Sequence, residues 1–287
     1  NLLPGGRPVS APAARAEIAG RWGLEAGVIS GSVGRDTDQI IEAAAAGRLG
    51  ALVVAGVDPA DLADPTLAEQ ALDKVGFLVS FELRNSAVSR RADVVFPVAP
   101  VQEKAGTFLN WEGRLRSFDA VFDTTAMSDA RVLDALAAAM GVTLGTADVA
   151  AVRAELGALP VSGADKPAAP RVAPRDVEVT GPGEAVLATW HQLLDLGSLL
   201  DGDEVLGGTA RPAVVRLSKD RAASLGVADG DPVRVSTDKG SITLPVELTD
   251  MPDAVVWVPT NSPGATVRRS LGVTSGDVVT ISRGGIK

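Results

Sequence analysis

The stretch Glu103-Lys-Ala-Gly-Thr-Phe-Leu-Asn-Trp-Glu-Gly-Arg-Leu-Arg116 concentrates groups able to recognise a ligand. Its two glycines allow close backbone approach, and Thr107, Asn110, Glu112 and Arg114 add hydrogen-bonding side chains just after an apolar run, Asp93–Pro97, that reads as a strand. Ligands of open α/β sheets sit beyond the carboxyl ends of the strands. An interdomain contact whose charges pair with one another explains the same residues equally well.

Other chemistries are excluded by what the chain lacks. With no cysteine, disulfides, thiolate zinc sites, cysteine-ligated iron–sulfur clusters and cysteine nucleophiles are impossible within it. His191 is the single histidine, so no multi-histidine metal site forms; it stands four residues before Asp195, a spacing that shares one face if the segment is helical. Gly202–Thr209 has P-loop spacing, but Gly208 occupies the place of the phosphate-binding lysine. The cluster Gly31-Ser-Val-Gly34 is too short for pyrophosphate, and no G-x-G-x-x-G follows a predicted strand. The pairs Asp201/Asp203 and Asp229/Asp231 sit beside glycines and read as turns rather than cation ligands.

The 287 residues suffice for about two domains. Lys and Arg number 27 against 36 Asp and Glu, a net charge of −9, which opposes nucleic acid and anionic lipid as partners. No apolar run reaches the length of a membrane span, and the first 30 residues lack the pattern of a secretory leader. A start at Asn1 rather than Met reads as a fragment.

The elements that must position these groups fall into two grammars. Asp36-Thr-Asp-Gln39 resembles a capping box opening a helix that Gly47 can end. The continuously apolar Ala51–Val57 then predicts a parallel strand covered on both faces. A short helix over Leu67–Leu72, strands over Gly76–Phe81 and Asp93–Pro97, a helical stretch over Asn85–Arg91 between them, and a helix over Asp129–Met140 capped by Ser128 complete a doubly wound α/β pattern. Val132, Leu133, Leu136 and Met140 are expected along one side of that last helix. Residues 157–183 hold five of the 18 prolines and read as a linker. Beyond residue 210 the pattern becomes β: Pro232–Ser236, Ser241–Leu248 and Ala254–Pro259, separated by turns at Asp238–Gly240 and Asp250–Asp253. Here Leu225-Gly-Val-Ala-Asp-Gly-Asp-Pro-Val-Arg-Val235 aligns with Leu271-Gly-Val-Thr-Ser-Gly-Asp-Val-Val-Thr-Ile281. The repeat suggests a small barrel with pseudo-twofold halves, a common turn recurring by chance being the alternative.

Ala92-Asp-Val-Val-Phe-Pro97 followed by Glu103-Lys-x-Gly-Thr-Phe-x-Asn-x-Glu-Gly-Arg114 resembles the signature of the molybdopterin oxidoreductase superfamily. Leu194–Pro212 and Val256-Trp-Val-Pro-Thr-Asn-Ser-Pro-Gly264 resemble, more narrowly, the actinobacterial G-subunit family of proton-pumping NADH-quinone oxidoreductases (respiratory complex I), in its C-terminal part. The resemblance implies a Rossmann-like, doubly wound parallel-sheet domain over 1–156, a Pro/Ala-rich linker over 157–183, and a double-psi β-barrel of molybdopterin dinucleotide-binding type over 184–287. It places Thr107, Asn110, Glu112, Arg114, Thr209, Arg211 and Asn261 toward the pterin of cofactor-bearing relatives. It also implies a scaffold module of a peripheral arm carrying electrons from NADH to quinone, cytoplasmic and reaching the membrane only through partner subunits. That module would hold no metal or molybdenum cofactor, with iron–sulfur clusters confined to an N-terminal part outside this chain. The alternatives are the C-terminal half of a molybdopterin guanine dinucleotide-dependent oxidoreductase, and a free-standing small-molecule-binding domain.

Overall fold

The structure, a computed structural model, describes residues 2–112, 114–159, 173, 181 and 183–285. It divides into two compact units, one of residues 1–40, 49–56 and 75–172, the other of residues 41–48, 57–74 and 173–287. The linker read over 157–183 lies largely outside the described residues.

The first unit begins with a buried cation. Arg7 is fully buried, and its guanidinium donates to both carboxylate oxygens of Glu17 in helix α1 (Pro12–Arg21), each at 2.7 Å, and to the Pro4 carbonyl at 2.9 Å. Hydrogen bonding from Arg7 holds the Glu17 carboxyl below its ordinary range. A depressed pKa contributes stability that is present above the unfolded value, about 4.3, and is lost as pH falls through the folded value. Glu17→Gln should therefore melt below the parent at pH 7, with the gap closing as acid protonates Glu17 in the parent. A gap constant from pH 7 to pH 2 would mean that the pair contributes no pH dependence.

Helix α2 (Thr37–Ala45) opens with the expected capping box: the Gln39 N–H donates to Asp36 Oδ1 at 2.9 Å, and the Asp36 N–H to Gln39 Oε1 at 3.2 Å. Strand β1 (Leu52–Ala55) follows, then helix α3 (Pro65–Lys74), strand β2 (Leu78–Glu82) and strand β3 (Val94–Pro97). The three strands form an all-parallel sheet in the order β1-β2-β3. Asp93 fixes the start of β3 against β2, accepting the Leu78 N–H at 2.7 Å. Double coverage holds for the central strand only, because a three-stranded sheet has two edges: Val53 on β1 is 61% exposed and Val95 on β3 is 42% exposed. The order also runs one way among the described residues, without the reversal of a doubly wound sheet. Residues 85–91 are not helical, and turns run over 87–91.

The polar stretch after β3 contains an antiparallel hairpin, β4 (Gly106–Leu109) paired with β5 (Leu115–Phe118). Helix α4 (Asp129–Ala139) has its Ser128 cap, but of the expected apolar side only Val132 is buried, while Leu133, Leu136 and Met140 are exposed. Val132 joins Val79, Phe81 and Val98 in this unit's core. Helix α5 (Val149–Ala158) ends the described part.

The second unit, to which residues 41–48 and 57–74 and hence helix α3 belong, is built on a closed six-stranded barrel. Its elements are β6 (Glu184–Trp190), a one-turn helix α6 (Glu204–Gly207), β7 (Val215–Leu217), α7 (Lys219–Leu225), β8 (Pro232–Ser236), β9 (Ser241–Leu248), β10 (Val255–Pro259), α8 (Val267–Leu271) and β11 (Val278–Arg283). The cyclic order is β8-β9-β7-β10-β6-β11, with β7–β9 and β6–β10 parallel. Reversing the order exchanges β8 with β11, β9 with β6 and β7 with β10, so the barrel has pseudo-twofold symmetry.

The sequence repeat is the symmetric unit. α7 and α8 both end on a left-handed glycine, Gly226 (φ 67°) and Gly272 (φ 63°), a conformation that disfavours side chains. Each is followed by a Gly-Asp turn: Asp231 accepts the Ala228 N–H at 2.9 Å, and Asp277 the Thr274 N–H at 2.8 Å. The turn glycines then donate to the barrel wall, Gly230 to the Val246 carbonyl and Gly276 to the Leu187 carbonyl, both at 2.8 Å. Alternate residues of the strands point inward, so Val233, Val235, Val256, Val258, Val279 and Ile281 fill one core.

Candidate functional site

The seven sequence-derived site residues fall into two groups, one in each unit. Thr107, Asn110, Glu112 and Arg114 lie on or within the β4–β5 hairpin. Asn110 closes its turn: its Oδ1 accepts the Arg114 N–H at 2.8 Å and the Glu112 N–H at 3.1 Å, and its own N–H donates to the Arg114 carbonyl at 3.0 Å. Glu112 and Arg114 pair at 3.1 Å while remaining exposed. Thr107 Oγ1 accepts from Arg153 Nε of α5 at 3.1 Å. These side chains are thus engaged within their own unit. Trp111 at the hairpin tip is 94% exposed.

Thr209, Arg211 and Asn261 gather where β6 leaves the barrel. The chain after Trp190 is irregular rather than helical, yet His191 Nδ1 lies 2.7 Å from Asp195 Oδ2, and Asp195 Oδ1 accepts the Gly197 N–H at 2.7 Å. The contact inferred from helical spacing therefore exists, made by a folded loop. Thr209 and Arg211 line a cavity of about 510 Å³ with Gln192, Arg216 and Trp257, within the size range of small-ligand pockets. The Thr209 hydroxyl donates to the Leu206 carbonyl at 2.7 Å, capping α6. Asn261 lines an adjoining groove and accepts the Leu196 N–H on its carbonyl at 2.8 Å.

Gln192, Arg216 and Trp257 were not among the sequence candidates. The Arg216 guanidinium carbon lies 4.8 Å from the centre of the Trp257 ring, and its Nη2 reaches Glu247 at 3.2 Å. Arg216 Nε and Gln192 Oε1 are buried without hydrogen-bond partners, a costly state unless a ligand or water completes it. Strand alternation marks Arg216 as outward-facing between buried Val215 and Leu217, but nothing local places it beside Gln192. Of the acidic pairs, Asp231 closes a local turn by accepting the Ala228 N–H, whereas Asp203 caps α6 through the Leu206 N–H and Asp229 accepts the Leu248 N–H. Among the described residues no group of three or more metal-ligating side chains converges, and no helix is long and apolar enough to cross a membrane.

The parallel-sheet unit and the closed barrel correspond to two family matches. Residues 14–138 match the Molybdopterin oxidoreductase family and residues 186–282 the Molydopterin dinucleotide binding domain. It is 52% identical to the G subunit of the NADH-quinone oxidoreductase of Mycobacterium tuberculosis over 99% of its own length and 35% of that protein's. The corresponding G subunit of Streptomyces coelicolor is 50% identical over 98% of the chain and 34% of the relative. The chain therefore spans about a third of these curated relatives. In fold it is similar to acetylene hydratase from Pelobacter acetylenicus, with a TM-score of 0.56 at 16% identity over 95% of this chain and 46% of that one.

Proposed function

We propose that this chain is a scaffold module of the G subunit of an NADH-quinone oxidoreductase, supporting the peripheral arm through which electrons pass from NADH to quinone without itself carrying a redox centre. The observation that carries this reading is identity of 50–52% to such G subunits along essentially the whole chain. The engagement of Thr107, Asn110, Glu112 and Arg114 within their own unit supports a structural role for the loop. The module divides into a Rossmann-like layer over 1–156, a linker over 157–183 and a double-psi barrel over 184–287. It works on the cytoplasmic side, binds other peripheral-arm subunits, and reaches the membrane only through them.

The orphaned Arg216 Nε and Gln192 Oε1 favour a second reading, a retained molybdopterin dinucleotide site. The donor set fits such a group: Arg211 and Arg216 complement phosphate, and the Trp257 face takes a flat ring. When bound, the cofactor would supply a redox-active metal centre. Arg211, Arg216, Thr209 and Gln192 would hold its polar groups, with Thr107, Asn110, Arg114 and Asn261 the further candidates.

The experiment is purification of the tagged parent protein from its native cells. Other components of the oxidoreductase should co-purify, with molybdenum, tungsten and oxidised-pterin fluorescence far below stoichiometric. Near-stoichiometric metal and pterin would overturn the scaffold reading in favour of the second.

A further inference from the structure

One outward-facing row crosses three neighbouring strands of the barrel. Arg216 of β7 is in register with Glu247 of β9 on one side and with Trp257 of β10 on the other. Side chains directly opposite one another across strands interact, and here both neighbours hold the same guanidinium. Glu247 Oε1 lies 3.2 Å from Arg216 Nη2, and the guanidinium carbon lies 4.8 Å from the centre of the Trp257 ring.

The grip is incomplete. Arg7 shows what a carboxylate does with the same edge of an arginine: Glu17 takes Nε and Nη2 together, each at 2.7 Å. Glu247 takes Nη2 alone, and Arg216 Nε is left buried without a partner. A planar fork is suited to holding an anion by two parallel bonds. The Glu247 side chain is 50% exposed, so water competes for it and the pair is weak. The cavity that Arg216 lines also holds Arg211, and no carboxylate lines it. Of the acids close by, Asp195 pairs with His191, and Asp61 lines the adjoining groove.

We propose that Glu247 is an internal competitor for Arg216: its carboxylate holds the guanidinium in place of a phosphoryl oxyanion, and the cavity takes such an anion only when Glu247 is displaced. Two arginines suit a phosphoryl group, which presents three acceptor oxygens. Two of these span Nε and Nη2 of Arg216 as Glu17 spans those of Arg7, and the third is left for Arg211. The anion wins only by its greater affinity for the released arginine. The inference rests on the second reading, a retained cavity for a phosphoryl-bearing group, and makes Glu247 the residue that sets how readily that cavity fills.

The full chain is titrated by calorimetry, at fixed ionic strength, with inorganic pyrophosphate and with guanosine diphosphate. E247Q should bind pyrophosphate about five- to tenfold more tightly than the unsubstituted chain, through loss of a weak ion pair and of one like charge. E247A should show the same gain, and R216M placed beside E247Q should abolish it. A gain for either ligand supports the proposal; a larger one for guanosine diphosphate assigns the anion to a ring-bearing nucleotide, an equal one to a free oxyanion. Equal binding by E247Q and the unsubstituted chain overturns the proposal and leaves the cavity an anion site. A gain that survives R216M is an unspecific charge effect and overturns it as well. No binding by any of these chains overturns it together with the second reading. The same substitution is then made in the parent protein, where the gain should persist. Its absence there would mean that the rest of that polypeptide fills the cavity, which overturns the proposal. Near-stoichiometric pterin in the parent with Glu247 intact would overturn it while upholding the second reading.

Discussion

Leu187→Ala should destabilise the barrel unit by about 2–5 kcal/mol, the range for truncating a fully buried leucine in a core that relaxes only partly. Leu187 has no exposed surface and sits in β6, hydrogen-bonded to β10 in parallel and to β11 in antiparallel fashion. Its side chain lies in the core formed with Val256, Val258 and Val279. Its backbone also joins the repeat to the wall, the carbonyl accepting the Gly276 N–H and the N–H donating to the Asp277 carbonyl, both at 2.8 Å. Closed on all sides, the barrel has no edge strand through which to slide and refill the void. The measurement is urea denaturation followed by circular dichroism: the midpoint should fall with the slope unchanged. Leu193→Ala is the internal control, since that side chain is fully exposed and should shift stability by less than about 0.5 kcal/mol. A loss below about 1 kcal/mol for Leu187→Ala would mean that the barrel core is not a single close-packed unit.

The barrel was legible because its signals are local and doubled. Strand alternation in Val233/Val235 and Ile242 marks the inward face without knowledge of any partner. The recurrence of Leu-Gly-Val-x-x-Gly-Asp shows that whatever Gly226 and Asp231 do, Gly272 and Asp277 do again, and the paired φ angles and side-chain bonds follow. The sheet unit was less legible for the converse reason. A run such as Leu52-Val-Val-Ala55 looks the same whether or not a layer covers its second face, and coverage depends on the number of strands beside it. In the β4–β5 hairpin, Gly106-Thr-Phe-Leu109 and Leu115-Arg-Ser-Phe118 carry strand chemistry on either side of an Asn-containing turn, a hairpin signal that the polar groups of the turn obscure. Asn110, whose type suggested a ligand contact, is a turn closer by the same chemistry, because an Asn side chain satisfies nearby backbone N–H groups readily. Gln192, Arg216 and Trp257 were beyond reach: Arg216 and Trp257 are register partners in the middle of β7 and β10, a pairing that only the barrel topology fixes, and Gln192 reaches them from the irregular chain after β6.

Arg153→Met should release the β4–β5 hairpin while leaving the barrel untouched. One guanidinium holds both strands at their open end: Arg153 Nη2 donates to the Gly106 carbonyl at 2.8 Å and the Phe118 carbonyl at 3.1 Å, and Nε to Thr107 Oγ1. Gly106 and Phe118 are register partners, and a Cβ at Gly106 would come within 2.6 Å of the Phe118 ring. The strands therefore meet at a point where neither partner has another polar clamp of comparable reach among the described contacts. An isolated two-stranded hairpin is marginal in water, so its order depends on such tethers. Bonds to a charged donor contribute about 1.5–3 kcal/mol each when buried. Since the Arg153 side chain is 34% exposed, a total of about 1–3 kcal/mol is expected after solvent screening. Amide hydrogen exchange should read this as roughly 5- to 140-fold faster exchange across residues 107–112 and 114–117, at a conversion of about 1.4 kcal/mol per tenfold, with barrel amides unchanged. Methionine preserves the aliphatic length, so the loss reports the fork rather than a void. Arg153→Lys should recover only part of the protection, because an ammonium cannot span two carbonyls and a hydroxyl in one plane. Unchanged exchange in the hairpin would show that the Phe108–Phe118 stack, with ring centres 4.9 Å apart, suffices to hold it. In that case Thr107 would be free to serve a ligand, and the structural reading of the loop would weaken with it.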